Sequence, residues 1–410
     1  MHLPGRGRCS VALVFSTLAV AAFQLSSSTE VAITRAEVEK HIRFLASDEL
    51  KGRKAGTEGD HVAARYIAEH FRACGLAPAP GFTDFFQPVP LTRVQPPERK
   101  QLRIDGTDLQ PGNDFIILQG ENSELEAELK DVGDPLAASP TGEQQDLRGK
   151  VAVTQLRHLD ASASESFRQK AELLQERGAK AILELYSGSG WDGVSDFLAG
   201  PRLVVEEKDS RERIPYFLVR DQGSALGRKL QAAGPHKVRI SLSERRVGRL
   251  ESANVIGVLP GRDPRLKEEF LGLTAHFDHI GQNERLPGAT KEDSIFNGAR
   301  DNGMGVTALL AAASVLSQNP PARSLLFIAF TAEEAGLLGS SYYVRNPAVP
   351  LEKTVFVLNN DGAGYTDTSI VTVLGLNRTT AAADIVTGCR ESGLEATAGG
   401  FELQMFFNAS

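Results

Sequence analysis

Apolar positions recur along this chain with two different spacings. Val38, Ile42 and Leu45 repeat every three to four residues behind Thr34, which predicts a capped amphipathic helix. A second such helix is expected over 59–74, stopping at Gly75. Between them, residues 48–57 are dense in glycine and charge and predict a loop. A short extended segment is expected by about residue 90, and Pro78, Pro80, Pro88, Pro90, Pro96 and Pro97 are expected to break regular structure. The texture changes between about 105 and 247. Short β-rich pieces at 151–154, 214–219 and 238–242 surround one helix, 166–177, which passes through Gly178 into an apolar strand at 179–185. No cluster of metal-binding residue types occurs there, so this stretch reads as a separate, non-catalytic inserted domain. From 251 onward, apolar runs of strand length (254–259, 270–274, 324–330, 354–358) alternate with a long helix at 302–316 and a shorter one at 336–344. Strands interleaved with helices predict an α/β sheet covered on both faces.

The N-terminus adds a location. Arg6 and Arg8 precede an apolar run at 11–23, and Ser26, Ser27 and Ser28 follow it, the order of a secretory signal peptide over 1–28. A buried N-terminal helix is the plainer alternative. The run is too short to span a bilayer as a permanent helix. A secreted or periplasmic protein without a membrane span is therefore expected. Cys9 lies before the apolar run, which speaks against a lipid anchor, and leaves Cys74 and Cys389, bridged or free. A chain of 410 residues is long for a single core. Its net charge of -7 argues against a nucleic-acid partner, and the longest basic cluster, 245–249, is short and reads as a solvated linker.

Candidate chemistry gathers where the predicted strands end. His276 and Asp278 follow one strand, Glu333 and Glu334 another, Asp361 a third, and Asp301 opens the long helix. Each has a plainer reading alone: a core histidine, a solvated helix start, a turn residue, a helix cap. Ligands of α/β sheets, however, bind outside the carboxyl ends of strands, so the four placements point to one crevice. Imidazole and carboxylate are zinc ligands, and a carboxylate between two zinc ions would let both polarise one water. Adjacent glutamates point in different directions, one toward a metal and the other toward the water as base. Asp278 is placed to accept the second ring N–H of His276. His279 is expected in a structural role.

These segments resemble a known family. TAHFDHIG at 274–281, GARDNGMG at 298–305, TAEEAGLLGS at 331–340 and Asn360-Asp361 are similar, in order and spacing, to the motifs of the two-zinc exopeptidases. That group includes bacterial leucyl aminopeptidases, aminopeptidase S and, more distantly, glutamate carboxypeptidase II. FLASDELKGR at 44–53 resembles the family's N-terminal segment, and 105–247 resembles a protease-associated domain. The resemblance implies a three-layer α/β/α sandwich with a mixed central sheet, built from 33–104 and 248–410. It implies two Zn²⁺ ions and peptide substrates. His276 and Asp361 would hold one zinc and Glu334 the other, with Asp301 bridging. Glu333 would be the general base and acid, and Asp278 would orient His276.

One departure stands out. The family completes its second zinc with a histidine near the C-terminus, whereas none of the eight histidines here follows His279. The expectation is therefore a fragment of an active enzyme or a truncated, inactive product acting as a peptide-binding or scaffold protein, with rescue by His279 a remote third case. Within the enzyme class, an aminopeptidase is expected ahead of a carboxypeptidase for acidic C-termini or a single-zinc glutaminyl cyclase.

Overall fold

The structure, a computed structural model, describes residues 33–136, 146–159, 163–205, 213–232, 234–284, 288–362 and 367–399. The expected signal peptide, with Arg6, Arg8 and Cys9, lies outside the described residues. The first helix, Arg35–Leu45, begins as its sequence predicts. The Thr34 hydroxyl accepts the Glu37 N–H while the Glu37 carboxylate accepts the Thr34 N–H, a reciprocal cap. The second helix, Glu58–Ala73, turns Ala63, Ala64, Ile67, Ala68 and Phe71 inward. The connection between them, expected as a loop, is instead a pair of tight turns over Asp48–Arg53 that bury Leu50, Gly52 and Arg53. Gly52 makes this possible: at φ 68 it has the Phe296 carbonyl 2.4 Å from where a Cβ would sit.

The short extended segment expected by about residue 90 is longer than expected and runs through prolines read as breakers. Phe86–Val94 is a strand despite Pro88 and Pro90, paired antiparallel with Val247–Leu259. Ile256 donates to the Phe85 carbonyl and Gln95 to the Arg246 carbonyl, so the odd-numbered positions face that neighbour. Pro88 and Pro90 face the other side, where the next strand, Arg202–Val205, pairs only from Leu91 onward. Their missing N–H groups therefore cost no ladder bond.

Seven strands form the sheet that carries the site, in the order Thr354–Asn359, Phe270–His276, Ser324–Phe330, Val247–Leu259, Phe86–Val94, Arg202–Val205, with Ala77–Pro78 also on Val247–Leu259. The first three run parallel and the rest antiparallel, a mixed sheet. Alternation of side chains clothes both faces. Val255, Leu325, Phe327 and Ala329 pack with Ile67, Phe71, Val306 and Leu310 of the helices Glu58–Ala73 and Met304–Leu316. Ile256, Val258, Leu326 and Ile328 pack on the opposite side with Tyr343, from the helix Leu338–Arg345, and Val349. The result is helix, sheet, helix.

A second, eight-stranded sheet uses strands between Lys100 and Leu242, with the helix Ala163–Glu176 against it. It takes in Lys100–Ile104, which the sequence reading assigned to the flanking segment, and gives up Arg202–Val205 to the first sheet. In its core, Lys170 pairs with Glu184 at 2.7 Å, and the Tyr216 hydroxyl donates to the same carboxylate. Further along, Ile370–Leu374 and Glu395–Gly399 pair parallel on their own, joined through the helix Ala382–Glu391. Cys74 and Cys389 are both free.

Candidate metal centre

The parallel strands bring the predicted residues to one end of the sheet. His276 is the last residue of its strand and sits in register with Phe330. The chain after Phe330 supplies Glu333 and Glu334, and the chain after Asn359 supplies Asp361. Asp301 comes from the turn Ala299–Gly303 that leads into Met304–Leu316. His276 Nε2 lies 3.1 Å from Asp301 Oδ1, 3.2 Å from Asp361 Oδ1 and 3.9 Å from Glu333 Oε2. On the other side of Asp301, His279 Nδ1 lies 2.6 Å from Glu334 Oε1.

Two three-residue groups result, His276, Asp301 and Asp361 in one and His279, Asp301 and Glu334 in the other, with donor atoms in each within 4.8 Å of one another. Asp301 belongs to both. The residues therefore fit a pair of cations sharing one carboxylate, and the donor set of imidazole nitrogen and carboxylate oxygen suits zinc. Among the described residues the Nδ1 of His276 is buried without a hydrogen-bond partner, while its Nε2 faces the two aspartates. His279, expected in a structural role, is thus a member of the second donor group.

Asp278 differs from its expected contact. It stands 3.7 Å from His276 Nδ1, longer than a hydrogen bond, and its two carboxylate oxygens accept instead from the main-chain N–H groups of Glu333 (2.9 Å) and Glu334 (3.4 Å). A buried carboxylate that receives two adjacent amides fixes the direction of both glutamates. Ala332, buried at φ 54, bends the chain so that the two amides can reach it.

So many acids in one pocket perturb one another. Burial pushes the Glu333 carboxyl up to about 7, aided by the negative charges of Asp278, Asp361 and Glu334 and opposed by His276. Burial raises Glu334 as well, with its hydrogen bond to His279 opposing. For His276 burial works against the charge, yet the carboxylates of Asp278, Asp301 and Asp361 outweigh it and hold the imidazole well above its ordinary value.

Three supporting residues escaped the sequence reading. Asn302 is fully buried and joins two loops: its Oδ1 accepts from Gly305 and Gly362, and its Nδ2 donates to the Asn360 carbonyl. Asp60 reaches the Thr331 hydroxyl from the second helix. Arg53 donates to the main-chain carbonyls of Phe277, beside His276, and of Gly298, ahead of Asp301. The only local signals were polar residues beside glycine, which usually mean a turn. An open cleft of about 290 Å³ lies beside His279, lined among others by Ala289, Asp293, Ile295 and Phe296.

The chain is similar to known proteins in sequence and in fold. Residues 254–406 match the sequence profile of peptidase family M28. Aminopeptidase YwaD of Bacillus subtilis (strain 168) is 26% identical over 332 residues, which is 80% of this chain and 62% of that protein. The vacuolar membrane protease of Saccharomyces cerevisiae (strain YJM789) is 38% identical over 119 residues, 29% of this chain and 11% of the relative. The chain thus spans less than two thirds of the length of these curated relatives. Among solved structures, an aminopeptidase from Aneurinibacillus sp. strain AM-1 superposes with a TM-score of 0.59 at 23% identity, covering 89% of this chain and 80% of that one. That superposition carries the mixed α/β fold. The part of the chain that builds the site, residues 254–406, is thus the part that resembles peptidase family M28.

Proposed function

We propose that this chain is a zinc-dependent exopeptidase, most simply an aminopeptidase that removes N-terminal residues from peptides. The observation that carries this reading is the pair of donor groups sharing Asp301, with Glu333 beside them and outside both. Two relatives named as aminopeptidases point the same way. His276, Asp301 and Asp361 would hold one zinc, and His279, Asp301 and Glu334 the other. Zinc in such a paired site supplies Lewis acidity, polarising a carbonyl oxygen and lowering the pKa of water.

The protein's own groups do the rest. Glu333 takes a proton from the attacking water and returns it to the leaving amine, a task suited to a carboxyl pushed up to about 7. Asp278, through the amides of Glu333 and Glu334, keeps base and ligand in separate orientations. The cleft beside His279 offers mixed apolar and acidic walls to a substrate side chain. The N-terminal 1–28, read as a signal peptide, directs the protein to an extracytoplasmic space, and 105–247 serves as an inserted, protease-associated domain without catalytic residues.

The test is release of a chromogenic amine from aminoacyl substrates, with and without chelator, beside Glu333→Gln. N-terminally blocked substrates should be inert. Turnover that persists in chelator and in the Glu333 variant would end the proposal.

A further inference from the structure

We propose that Arg53 is a positioning residue for the metal site, a buried guanidinium that fixes the loops bearing Asp301 and the His276–Asp278 segment without touching metal or substrate. This rests on the zinc-peptidase reading above. Arg53 is fully buried, and its partners are four main-chain carbonyls. Nε donates to Phe277 at 2.7 Å, Nη1 to Asn297 at 2.7 Å and also to Leu45, and Nη2 to Gly298 at 2.9 Å. Phe277 lies between His276 and Asp278, and Asn297 and Gly298 lead directly into the turn that carries Asp301. The Arg53 carbonyl in turn accepts from the His279 N–H. One planar group therefore ties the His276–Asp278 segment to the loop that leads into Asp301.

Its placement is unusual for a merely structural cation. A buried charge ordinarily takes a carboxylate partner, whereas this one is surrounded by carbonyls and feels Asp278, Asp301 and Glu334 at longer range. Its backbone is left-handed (φ 46), following Gly52 in the same region, a conformation that a side chain tolerates only when its surroundings hold it there. Asn297 reinforces the junction by donating to the Ala46 carbonyl and to Asp48. Gly298 closes it: a Cβ there would sit 2.5 Å from the Asp301 carbonyl oxygen, 2.7 Å from Arg53 Nη2 and 2.7 Å from the His279 ring.

Two roles for Arg53 can be separated. If it served only to offset the charge of the surrounding carboxylates, a lysine would serve as well. If it positions the loops, lysine fails, because three donors on a point charge cannot reproduce a planar fork across four carbonyls. The experiment measures zinc affinity by competition with a chromogenic chelator for the full chain and for Arg53→Lys, Arg53→Gln and Gly298→Ala, normalised to the folded fraction from thermal unfolding. Positioning predicts that Arg53→Lys and Arg53→Gln both bind zinc about 10–100-fold more weakly per folded molecule, the range seen when supports of metal ligands are removed. Gly298→Ala, which crowds the junction while keeping the cation, should weaken zinc as well. An Arg53→Lys chain with parental affinity overturns the proposal, as does a series in which zinc binding tracks the folded fraction alone. A parent chain that binds no zinc is a different result: it removes the functional reading, and this inference with it.

Discussion

Asp60 offers a sharp test because its chemistry can be followed without substrate or metal. It lies on the helix Glu58–Ala73, 1% exposed, and accepts from Gly56 N–H (3.0 Å), Ser252 hydroxyl (2.7 Å) and Thr331 hydroxyl (3.2 Å). Burial pushes its carboxyl from 3.8 up to about 7; the hydrogen bonds from Ser252 and Gly56 oppose the rise and the nearby negative Asp278 adds to it. A folded pKa above the unfolded one means that the stability is fully present below pH 3.8 and is lost as pH climbs through about 7, because the unfolded chain releases the proton first. At about 1.4 kcal/mol per unit, the ionised group costs about 4 kcal/mol above neutrality. Asp60→Asn removes the titration while keeping a carbonyl oxygen for one of the donors. In chelator, urea midpoints of the parent should fall between pH 4 and 8, and those of Asp60→Asn should fall less. The variant should be close to the parent at pH 4 and gain relative to it with rising pH. Parallel profiles, or a variant that loses ground as pH rises, would show that the buried carboxylate carries no such penalty.

Other expectations follow from single contacts. Glu333→Gln should keep zinc affinity within a few-fold of the parent while kcat drops about 10²–10⁴-fold, checked by metal titration beside steady-state kinetics. Gly59→Ala, a change that stabilises an ordinary helix by about 1 kcal/mol, should here destabilise by about 1–3 kcal/mol, because the new Cβ would sit 1.9 Å from the Leu50 carbonyl oxygen; thermal unfolding reads the sign. Lys170→Met leaves Glu184 buried without its cation and should cost about 3–5 kcal/mol, most of it recovered when Glu184→Gln is added, as a double-mutant cycle in urea would report.

Much of the site was legible because its chemistry sits where secondary structure changes. His276, Glu333, Glu334 and Asp361 each follow an apolar run, and Asp301 precedes a long apolar helix. The geometry brings all five together. The misreadings share a cause. Pro88 and Pro90 looked like breakers because a strand's proline is harmless only if its missing N–H faces away from the paired neighbour, and the neighbour lies over 150 residues away. Residues 48–57 read as a loop because charge and glycine favour solvent on average, yet Arg53 is drawn inward by carbonyls more than 200 positions distant. Asp278 was given to His276 because it stands two positions after it, while its carboxylate went to amides beyond position 330.

The sequence by itself determined the order of helices and strands, the apolar faces that become the two sides of the sheet, and the residue types available to a metal. These follow from periodicity, capping and the avoidance of buried charge, all of which act over a few neighbours. Tertiary structure alone decided that Asp301 stands between two histidines, that His279 joins Glu334, and that Arg53 and Asp60 brace the site from the N-terminal segment. Such contacts depend on which strands lie side by side and in what register, and that is settled by packing the whole core at once.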